Sequence, residues 1–507
     1  MSERTFPAAA SLASRVRRRL RSFEPMYLAL LGLVALPSYV VDSLAILEVF
    51  ELFFLFFLWP FVSPLLDLAL RRGADETSAE PTDWIDMGSG REYVAWFLLM
   101  PLTLLNPLAL AQDFLQWLGS GLAYVRHRGT VPDAESYDQQ GSYRLPVDGT
   151  WTVVNGSYDH DYSHSWFPLT QRYAYDFVIT DDDGRTSPAE SGSAVDSYYC
   201  YDEPILAPAD GVVVDAFDTA FESSRGGGLS HPLKRDIRGN YVVLKHAPDE
   251  YSCLAHLVPG SVAVSPGDRV ERGTQIGRCG HSGNSSEPHL HFQLQDHPRF
   301  ELAAGLPIAF DDVTVEWPGT AAELTEPRPD RNEATDDGLE EAPNDRAYLT
   351  AGQRVTHADP EDRGDAGTPG TTDDPGRSQP VTGNDAGLAA LQRAAFGACV
   401  GGVIAFLAAV FVARSAVVFL LAAGTTAAVG WWLWLEAVRG ATDVSRPGGL
   451  GIVAGLALVA TAVWYVESSV QSLGVAAIAV GFVGYTLLGE YDRRRLRDSV
   501  PDPSSHA

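Results

Sequence analysis

The sequence predicts a mainly β soluble domain flanked by N-terminal and C-terminal α-helical transmembrane segments. Between residues 141 and 318, short runs such as TWTVVNG and GVVVDAF are rich in β-branched and aromatic residues and end at Gly, Pro, Asp or Asn. This pattern is typical of antiparallel strands. Apolar stretches of about 20 residues, long enough to cross a bilayer, lie on both sides of this region. No helix of useful length is predicted inside it.

The N-terminal part of the chain is basic and then apolar. Residues 1–25 form a basic segment in which arginines cluster ahead of a long apolar region. Residues 26–124 are the predicted N-terminal membrane region, with helices at 26–46 and 52–70. A further apolar segment at 93–124 is interrupted by prolines, and it either crosses the bilayer or turns back as a re-entrant or interfacial element. Two or three helices are therefore expected here.

Two segments of contrasting composition follow the β domain. Residues 319–387 are rich in Asp, Glu, Pro, Gly and Thr, which predicts a disordered acidic linker because it has little apolar surface to bury. Residues 388–490 are predicted to be a C-terminal membrane region of four helices. The four apolar segments lie at about 394–412, 416–436, 450–467 and 472–489, before a basic-to-polar tail at 491–507.

The arginines give two answers about the side of the membrane that the β domain faces. Counting back from the basic tail places the domain in the cytoplasm. Counting forward from the N-terminal arginine cluster places it outside if the segment at 93–124 is a genuine crossing. The sequence therefore predicts an integral, multi-pass protein of the cell membrane and leaves the side of the β domain open.

The overall charge of the chain argues against nucleic acid as a partner. The formal net charge is -28, and a nucleic-acid-binding protein would need a basic surface instead. Lysine occurs only at Lys234 and Lys245. An acidic chain with so little lysine suggests a protein kept soluble in concentrated salt. The four cysteines have no CxxC spacing and do not form a recognisable disulfide framework, so their redox state stays open.

The main candidates for functional residues are a pair of histidines. His289 and His291 are separated by Leu290 in a run of alternating character, which predicts a β-strand. Residues two apart on a strand point to the same face, so both imidazoles are expected to face one pocket. One of them can hold a metal while the other handles a proton.

Four segments around this pair resemble the M23 family of zinc metallopeptidases, also called the LytM or lysostaphin-like family. They are GNYVVLKH at 239–246, CLAHL at 253–257, the glycine-rich run at 264–286 and PHLHFQL at 288–294. The resemblance covers roughly residues 145 to 318. It implies a β-sheet groove with a metal on its floor, a Zn²⁺ cofactor, and hydrolysis of a peptide or protein substrate by a metal-activated water.

The resemblance also implies roles for individual residues. His291 matches the last zinc ligand and Asp176, in RYAYDF, matches the carboxylate ligand. His256, in CLAHL, and His289 match the histidines that polarise the water and stabilise the developing oxyanion. Asn240 matches a turn position beside the groove and is a candidate substrate-binding residue, although it more readily shapes the groove.

One position departs from the family pattern. Four residues before Asp176, where the resemblance calls for a histidine ligand, stands Arg172, and a guanidinium cannot lose its proton to bind zinc. Either a nearby histidine supplies the missing nitrogen or the site is degenerate. We favour His164 in SHSW, which leads by a short loop into the strand of Asp176, over His160 in YDHDY. The alternative is that both are exposed loop histidines.

The sequence supports two hypotheses about function, one for an enzyme and one for a binding or regulatory module. The first is a membrane-anchored zinc metalloendopeptidase, with zinc held by Asp176, His291 and His164. The second is a catalytically inactive M23-like module that binds peptides or regulates a membrane protein, and Arg172 is the residue that favours it. Both predict a peptide or protein partner and the lipid bilayer, and neither involves nucleic acid.

Overall fold

The structure is a computed structural model, and it describes part of the chain. The described residues are 25–39, 42–58, 106–163, 165–188, 191–228, 230–231, 233–317, 346–358, 386–411 and 470–499. The chain divides into two compact units, Met1–Thr77 and Ser78–Ala507.

The first unit contains two 3₁₀ helices in its described residues, Pro25–Tyr39 and Asp42–Leu58, which pack against each other. Side chains three apart are eclipsed in a 3₁₀ helix. Phe50, Phe53 and Phe56 accordingly stack along the second helix, with ring centroids 5.9 and 6.2 Å apart. The first helix lies almost entirely within the apolar segment predicted at 26–46. The second begins inside that segment and shares only residues 52–58 with the segment predicted at 52–70, whose remainder lies outside the described residues.

The second unit is built around an antiparallel sheet, as the strand pattern predicted. Ten of its described strands form one sheet in the order β11-β12-β1-β2-β9-β6-β5-β4-β7, with β10 also paired to β9, while β3 and β8 form a separate pair. The strands are β1 (Thr150–Asn155), β2 (Tyr175–Val178), β3 (Pro204–Leu206), β4 (Gly211–Phe217), β5 (Asn240–Ala247), β6 (Glu250–Leu257), β7 (Arg269–Val270), β8 (Gln275–Arg278), β9 (Leu290–Gln295), β10 (Gly305–Leu306), β11 (Val313–Glu316) and β12 (Arg354–His357).

Strand β9 separates an apolar core from a polar layer. Because side chains alternate along a strand, Leu290, Phe292 and Leu294 enter the main hydrophobic core. His291 and Gln293, which alternate with them, lie on the opposite face and are also buried. The strand that carries the predicted histidine motif is therefore covered on both sides.

Part of the predicted linker 319–387 belongs to the sheet, which corrects the expectation of disorder for residues 346–358. Within that stretch, β12 pairs with both β1 and β11. Val355 and Leu349 are fully buried in the main core. This short stretch has enough apolar surface to repay its ordering, unlike the average composition of the linker.

Three α-helices complete the described part of the second unit. They are α1 (Pro107–Arg126), α2 (Ala386–Phe411) and α3 (Val470–Ser499). Asn106 caps α1 by accepting hydrogen bonds from the amides of Leu108 and Ala109, and Pro107 suits the first helical position. Helix α1, at the end of the apolar segment predicted at 93–124, packs on two 3₁₀ turns of the β domain, Leu169–Gln171 and Phe300–Leu302.

The last helix continues beyond the segment predicted at 472–489 and includes much of the basic tail. Arg493 pairs with Asp249 in the β5–β6 turn at 2.8 Å. Asp492 pairs with Arg299 at 3.0 Å. These ion pairs hold the end of α3 against the β domain, which explains why the tail is helical there.

Among the described residues, no helix has both the length and the apolar character that a bilayer crossing requires. The predicted segments at 416–436 and 450–467 lie outside the described residues.

Candidate functional site

Strand register brings the predicted carboxylate and histidine together. Strands β2, β9 and β6 are neighbours, and His291 on β9 lies opposite Asp176 on one side and Ala255 on the other. Directly opposed residues share a face of the sheet. The Nδ1 atom of His291 lies 2.9 Å from Oδ1 of Asp176, and both side chains are buried.

The other two predicted histidines complete this cluster. His289 precedes β9, and its Nε2 lies 3.7 Å from Oδ1 of Asp176. The ring of His256, near the end of β6, has its centroid 4.7 Å from that of His289 and 5.7 Å from that of His291. The structure therefore brings together four residues that the sequence singled out, while their roles stay predictions.

His256 reaches the cluster through an unusual backbone conformation. Its φ is +63°, a left-handed region in which histidine is among the less disfavoured residues. Next to it, Gly239 and Gly283 pack backbone against backbone. A Cβ on Gly283 would lie 2.2 Å from the amide nitrogen of Gly239. This close approach places the carbonyl of Ser282 2.8 Å from Nδ1 of His256.

His256 and His289 present the same ring nitrogen to the cluster. A carbonyl oxygen can only accept, so each Nδ1 must donate to its backbone partner. His256 donates to Ser282, and His289 donates to the carbonyl of Glu287 at 2.7 Å. In the neutral ring the Nε2 atom then carries the lone pair. Both residues can therefore accept a proton or a hydrogen bond at Nε2.

His291 presents the opposite nitrogen. Its Nε2 lies 3.0 Å from Oε1 of Gln293, and the amide nitrogen of Gln293 donates to the carbonyl of Thr170 at 3.0 Å. The glutamine must therefore accept from Nε2–H of His291. In the neutral ring, the lone pair of Nδ1 then faces Oδ1 of Asp176.

When the imidazole of His291 is neutral, its Nδ1 atom and Oδ1 of Asp176 are therefore both hydrogen-bond acceptors. At 2.9 Å they repel each other unless a proton or a metal cation lies between them. The chemistry of this pair fits a zinc ion, which binds imidazole nitrogen and carboxylate oxygen. A catalytic zinc site uses three protein ligands, and the pair would supply two of them.

The electrostatic environment separates the three histidines. Burial lowers the pKa of His256 well below its usual value, and the neighbouring His289 and His291 lower it further. Burial alone would also lower the pKa of His291. The hydrogen bond to Asp176 and the charge of that carboxylate outweigh burial, so the pKa of His291 is raised. In the absence of a metal cation, a proton on His291 relieves the repulsion described above.

The second oxygen of Asp176 is held by a residue that the sequence did not single out. Asn155 on β1 donates to Oδ2 of Asp176 at 3.0 Å and to Oγ of Ser165 at 2.9 Å. The residue before Ser165, the predicted ligand His164, lies outside the described residues. The same amide therefore connects Asp176 to the segment that carries His164.

The alternative histidine and the unexpected arginine both contact one tryptophan. The ring of His160 packs edge-on against Trp166, with centroids 5.5 Å apart. The guanidinium of Arg172 lies 5.0 Å from the centroid of the same ring. Among the described residues, no three His, Cys, Asp or Glu side chains are grouped as a metal site requires. All three zinc ligands therefore remain predictions.

Asn240 braces the loops around the site. Its side-chain oxygen accepts from the amide of Ala220 at 2.7 Å, and its amide donates to the carbonyl of Leu257 at 3.0 Å. The side chain is fully buried. These contacts agree with the groove-shaping role considered for this residue, and substrate binding by it stays a prediction.

Two polar residues of the site were missed at the sequence level. Gln293 follows His291 by two positions, so strand alternation alone could have placed it on the same face. Asn155 offers no such signal, because its contact with Asp176 depends on an irregular pairing of β1 with β2.

Comparison with known proteins agrees with the fold and the motif. Residues 191–300 match the family model described as "Peptidase family M23". Asp176 lies before the matched stretch. A 190-residue stretch, 37% of the chain, is 27% identical to the peptidoglycan DD-endopeptidase ShyA of Vibrio cholerae and covers 35% of that protein.

Two other proteins are similar over shorter or more divergent stretches. A protein of Haemophilus influenzae described as an uncharacterized metalloprotease is 29% identical over 142 residues, which are 28% of this chain and 24% of that protein. The crystal structure of a zinc-containing peptidase from Vibrio cholerae is 21% identical and has a TM-score of 0.20. The comparison covers 33% of this chain and 39% of that one.

The chain spans only 35% and 24% of the length of the curated relatives from Vibrio cholerae and Haemophilus influenzae. The stretch 191–300 that matches the family model contains strands β3 to β9 and the three clustered histidines. From this match, the chain contains a domain of peptidase family M23.

Proposed function

We propose that the protein is a membrane-anchored zinc metalloendopeptidase, which hydrolyses peptide bonds with a metal-activated water. One observation carries the proposal: the carboxylate of Asp176 and three imidazoles meet on one face of the sheet, and hydrogen bonds fix which nitrogen each imidazole presents. Burial and fixed orientation are what a hydrolytic site needs to act on a bound peptide.

Three side chains would hold the zinc. They are Asp176 through Oδ1, His291 through Nδ1, and His164. The hydrogen bonds of Asn155 to both Asp176 and Ser165 support His164, since they tie its neighbour in the chain to the carboxylate ligand. Zinc bound there supplies a Lewis acid that lowers the pKa of a water molecule and polarises a peptide carbonyl.

The two remaining histidines act on protons. His289 accepts the proton of the attacking water at Nε2, and its Nδ1–H bond to the carbonyl of Glu287 stabilises the resulting imidazolium. His256 is held neutral by burial. It therefore polarises the water as a hydrogen-bond acceptor at Nε2. The proton that His289 takes from the water passes to the nitrogen of the leaving amine when the peptide C–N bond breaks.

The substrate is a peptide or a protein. The relative from Vibrio cholerae is described as a peptidoglycan endopeptidase, which makes a cell-wall peptide one candidate. In a host without peptidoglycan, the same chemistry would act on a protein. Hydrolysis of a cell-wall peptide and of an unstructured protein by the purified full-length chain would be compared directly.

We place the protein in the cell membrane, in contact with the lipid bilayer, with its β domain on the same side as its C-terminal tail. Arg493 and Arg497 both pair with Asp249 of the β domain, at 2.8 and 3.4 Å. Arginine clusters favour the cytoplasmic side, so the domain would face the cytoplasm. There a protein, and not a cell-wall peptide, would be its substrate. In sealed vesicles, a tag on the C-terminus and an engineered protease site in the linker should be accessible together or protected together.

Zinc content is the direct test of the peptidase. The full-length protein should bind one zinc per chain, lose it in a His164→Ala variant, and lose hydrolysis on chelation. Zinc retained by His164→Ala and lost by His160→Ala would move the third ligand to His160. Zinc-free, folded wild-type protein after addition of the metal would reject the peptidase.

The second candidate function is an inactive peptide-binding or regulatory module. Arg172 stands where the family pattern has a histidine ligand and packs on Trp166 instead. An inactive module should bind a peptide equally well before and after His291→Ala, with neither zinc nor hydrolysis. A His291→Ala variant that loses zinc and hydrolysis together excludes this candidate.

A further inference from the structure

A row of buried polar side chains runs along the face of β9 that carries His291. His291, Gln293 and Gln295 are two residues apart, and the two glutamines are fully buried. The amide of Gln293 donates to Oε1 of Gln295 at 2.7 Å, and the amide of Gln295 donates to the carbonyl of His297 at 2.6 Å. Buried amides of this kind are costly unless all their groups are paired.

The hydrogen bonds along this row can run in only one direction. The carbonyl of His297 can only accept, so Gln295 must turn its amide nitrogen towards it and its oxygen towards Gln293. The carbonyl of Thr170 likewise requires the amide nitrogen of Gln293, at 3.0 Å. The oxygen of Gln293 must then face His291. The carbonyl of Thr170 therefore suffices to determine which atom of Gln293 meets the imidazole, and Gln295 only adds a second contact in the same direction.

We propose that Gln293 is a positioning residue that holds His291 in the Nε2–H tautomer, so that Nδ1 carries the lone pair directed at Asp176 and the zinc. This inference rests on the proposed function, because it assigns a cause to the ligand geometry of the same site. Partners that orient a ligating histidine through its other nitrogen tune metal affinity, and their removal typically weakens it by roughly 10- to 100-fold.

The matched variants are Gln293→Met and Gln295→Met in the full-length protein. Both replace a fully buried glutamine on the same face of β9 by an unbranched apolar side chain, but only Gln293 contacts His291. Zinc affinity would be measured by competition with a chromogenic chelator, and ligand geometry by the absorption spectrum of the cobalt(II)-substituted protein. Gln293→Glu is the conservative variant, because burial favours the neutral acid. One of its oxygens accepts from Nε2–H of His291, and its O–H donates to the carbonyl of Thr170 in place of the amide.

Gln293→Met should lose roughly 10- to 100-fold in zinc affinity and alter the cobalt spectrum, whereas Gln295→Met and Gln293→Glu should stay within a few-fold of the wild type. Equal losses in both methionine variants, or no loss in Gln293→Met, would overturn the inference while leaving the peptidase proposal intact. If Gln293→Met does not fold, Gln293→Glu decides, since weak binding by a folded glutamate variant contradicts the acceptor role. A wild-type protein that binds no zinc overturns both.

Discussion

At the scale of single residues, the three imidazoles of the site differ in the nitrogen they present. Backbone carbonyls receive Nδ1–H of His256 and of His289, while a side-chain amide receives Nε2–H of His291. The hydrogen-bond partner of each ring therefore decides which nitrogen carries the lone pair in the neutral imidazole.

Replacing His289 by alanine should slow hydrolysis without removing zinc. The residue accepts a proton in the proposed reaction, and such a contribution is worth about 100- to 10,000-fold in rate. The kcat on a peptide and the zinc content would be measured on the same preparation. The control is His246→Gln, which removes a buried histidine that hydrogen-bonds to Asp210 and Ser252. Zinc loss in His289→Ala would exchange the roles assigned to His289 and His291.

His246 should make the protein less stable in acid. Burial lowers its pKa to about 4, below the value of about 6.5 in an unfolded chain. Between these pH values the unfolded state binds more protons, so the free energy of unfolding falls as the pH falls, by about 2 to 3 kcal/mol for this residue. Urea unfolding at about pH 7 and about pH 4.5 should show a smaller pH effect in His246→Gln. If pH changes the free energy of unfolding equally in the wild type and in His246→Gln, His246 does not have the lowered pKa assigned to it.

At the scale of elements, the site depends on two loops that approach at Gly239 and Gly283. Gly283→Ala should cost more than the about 1 kcal/mol expected for strain at positive φ alone, because its Cβ would strike the backbone of Gly239. Gly260→Ala is the control, since its φ of +81° is almost the same as the +80° of Gly283 and its Cβ would meet nothing within 4 Å. Equal losses of unfolding free energy would show that the close approach is unimportant.

Helix α1 is attached to the β domain by a buried ion pair. Arg126 donates to both oxygens of Asp296, at 2.8 and 2.9 Å. Burial alone would raise the pKa of Asp296, but Arg126 and His127 hold it well below its usual range. Arg126→Met would leave a buried carboxylate without its main partner, which should cost about 3 to 5 kcal/mol of unfolding free energy.

The control for this pair lies on the surface. Arg185 and Asp183 are 3.1 Å apart and largely exposed, so Arg185→Met should change the unfolding free energy by less than about 1 kcal/mol. Chemical denaturation of the two variants would compare them. Similar losses would mean that the Arg126 pair behaves as a solvated one.

At the scale of the whole molecule, the charge of -28 predicts a dependence on salt. Like charges repel in the compact state, and ions screen that repulsion. The thermal midpoint should rise by about 5 °C or more between about 0.1 M and about 2 M KCl. Most of the rise is expected at the lower concentrations, where screening changes most. A midpoint that is unchanged or falls would contradict this expectation.

The sequence was informative about the fold because strand patterns and short motifs are local. Antiparallel strands and the M23 domain were predicted and are confirmed. The strand at 354–357 was missed because its neighbours in the sheet are about 200 residues earlier and 40 residues earlier in the chain, and its own composition is that of a linker. Pairing partners of this kind leave no mark in a local pattern.

The candidate site was also predictable only in part. The four side chains that cluster in the structure, Asp176, His256, His289 and His291, could be picked out from the sequence alone, because a motif specifies residue types and their spacing. Their orientation is visible only in the folded protein. Asn155, which belongs to β1, donates a hydrogen bond to the carboxylate of Asp176. Gln293 donates to the carbonyl of Thr170 and so turns its oxygen towards the imidazole of His291. Hydrogen-bond direction depends on atoms brought together by the whole fold, and spacing along a chain does not encode it.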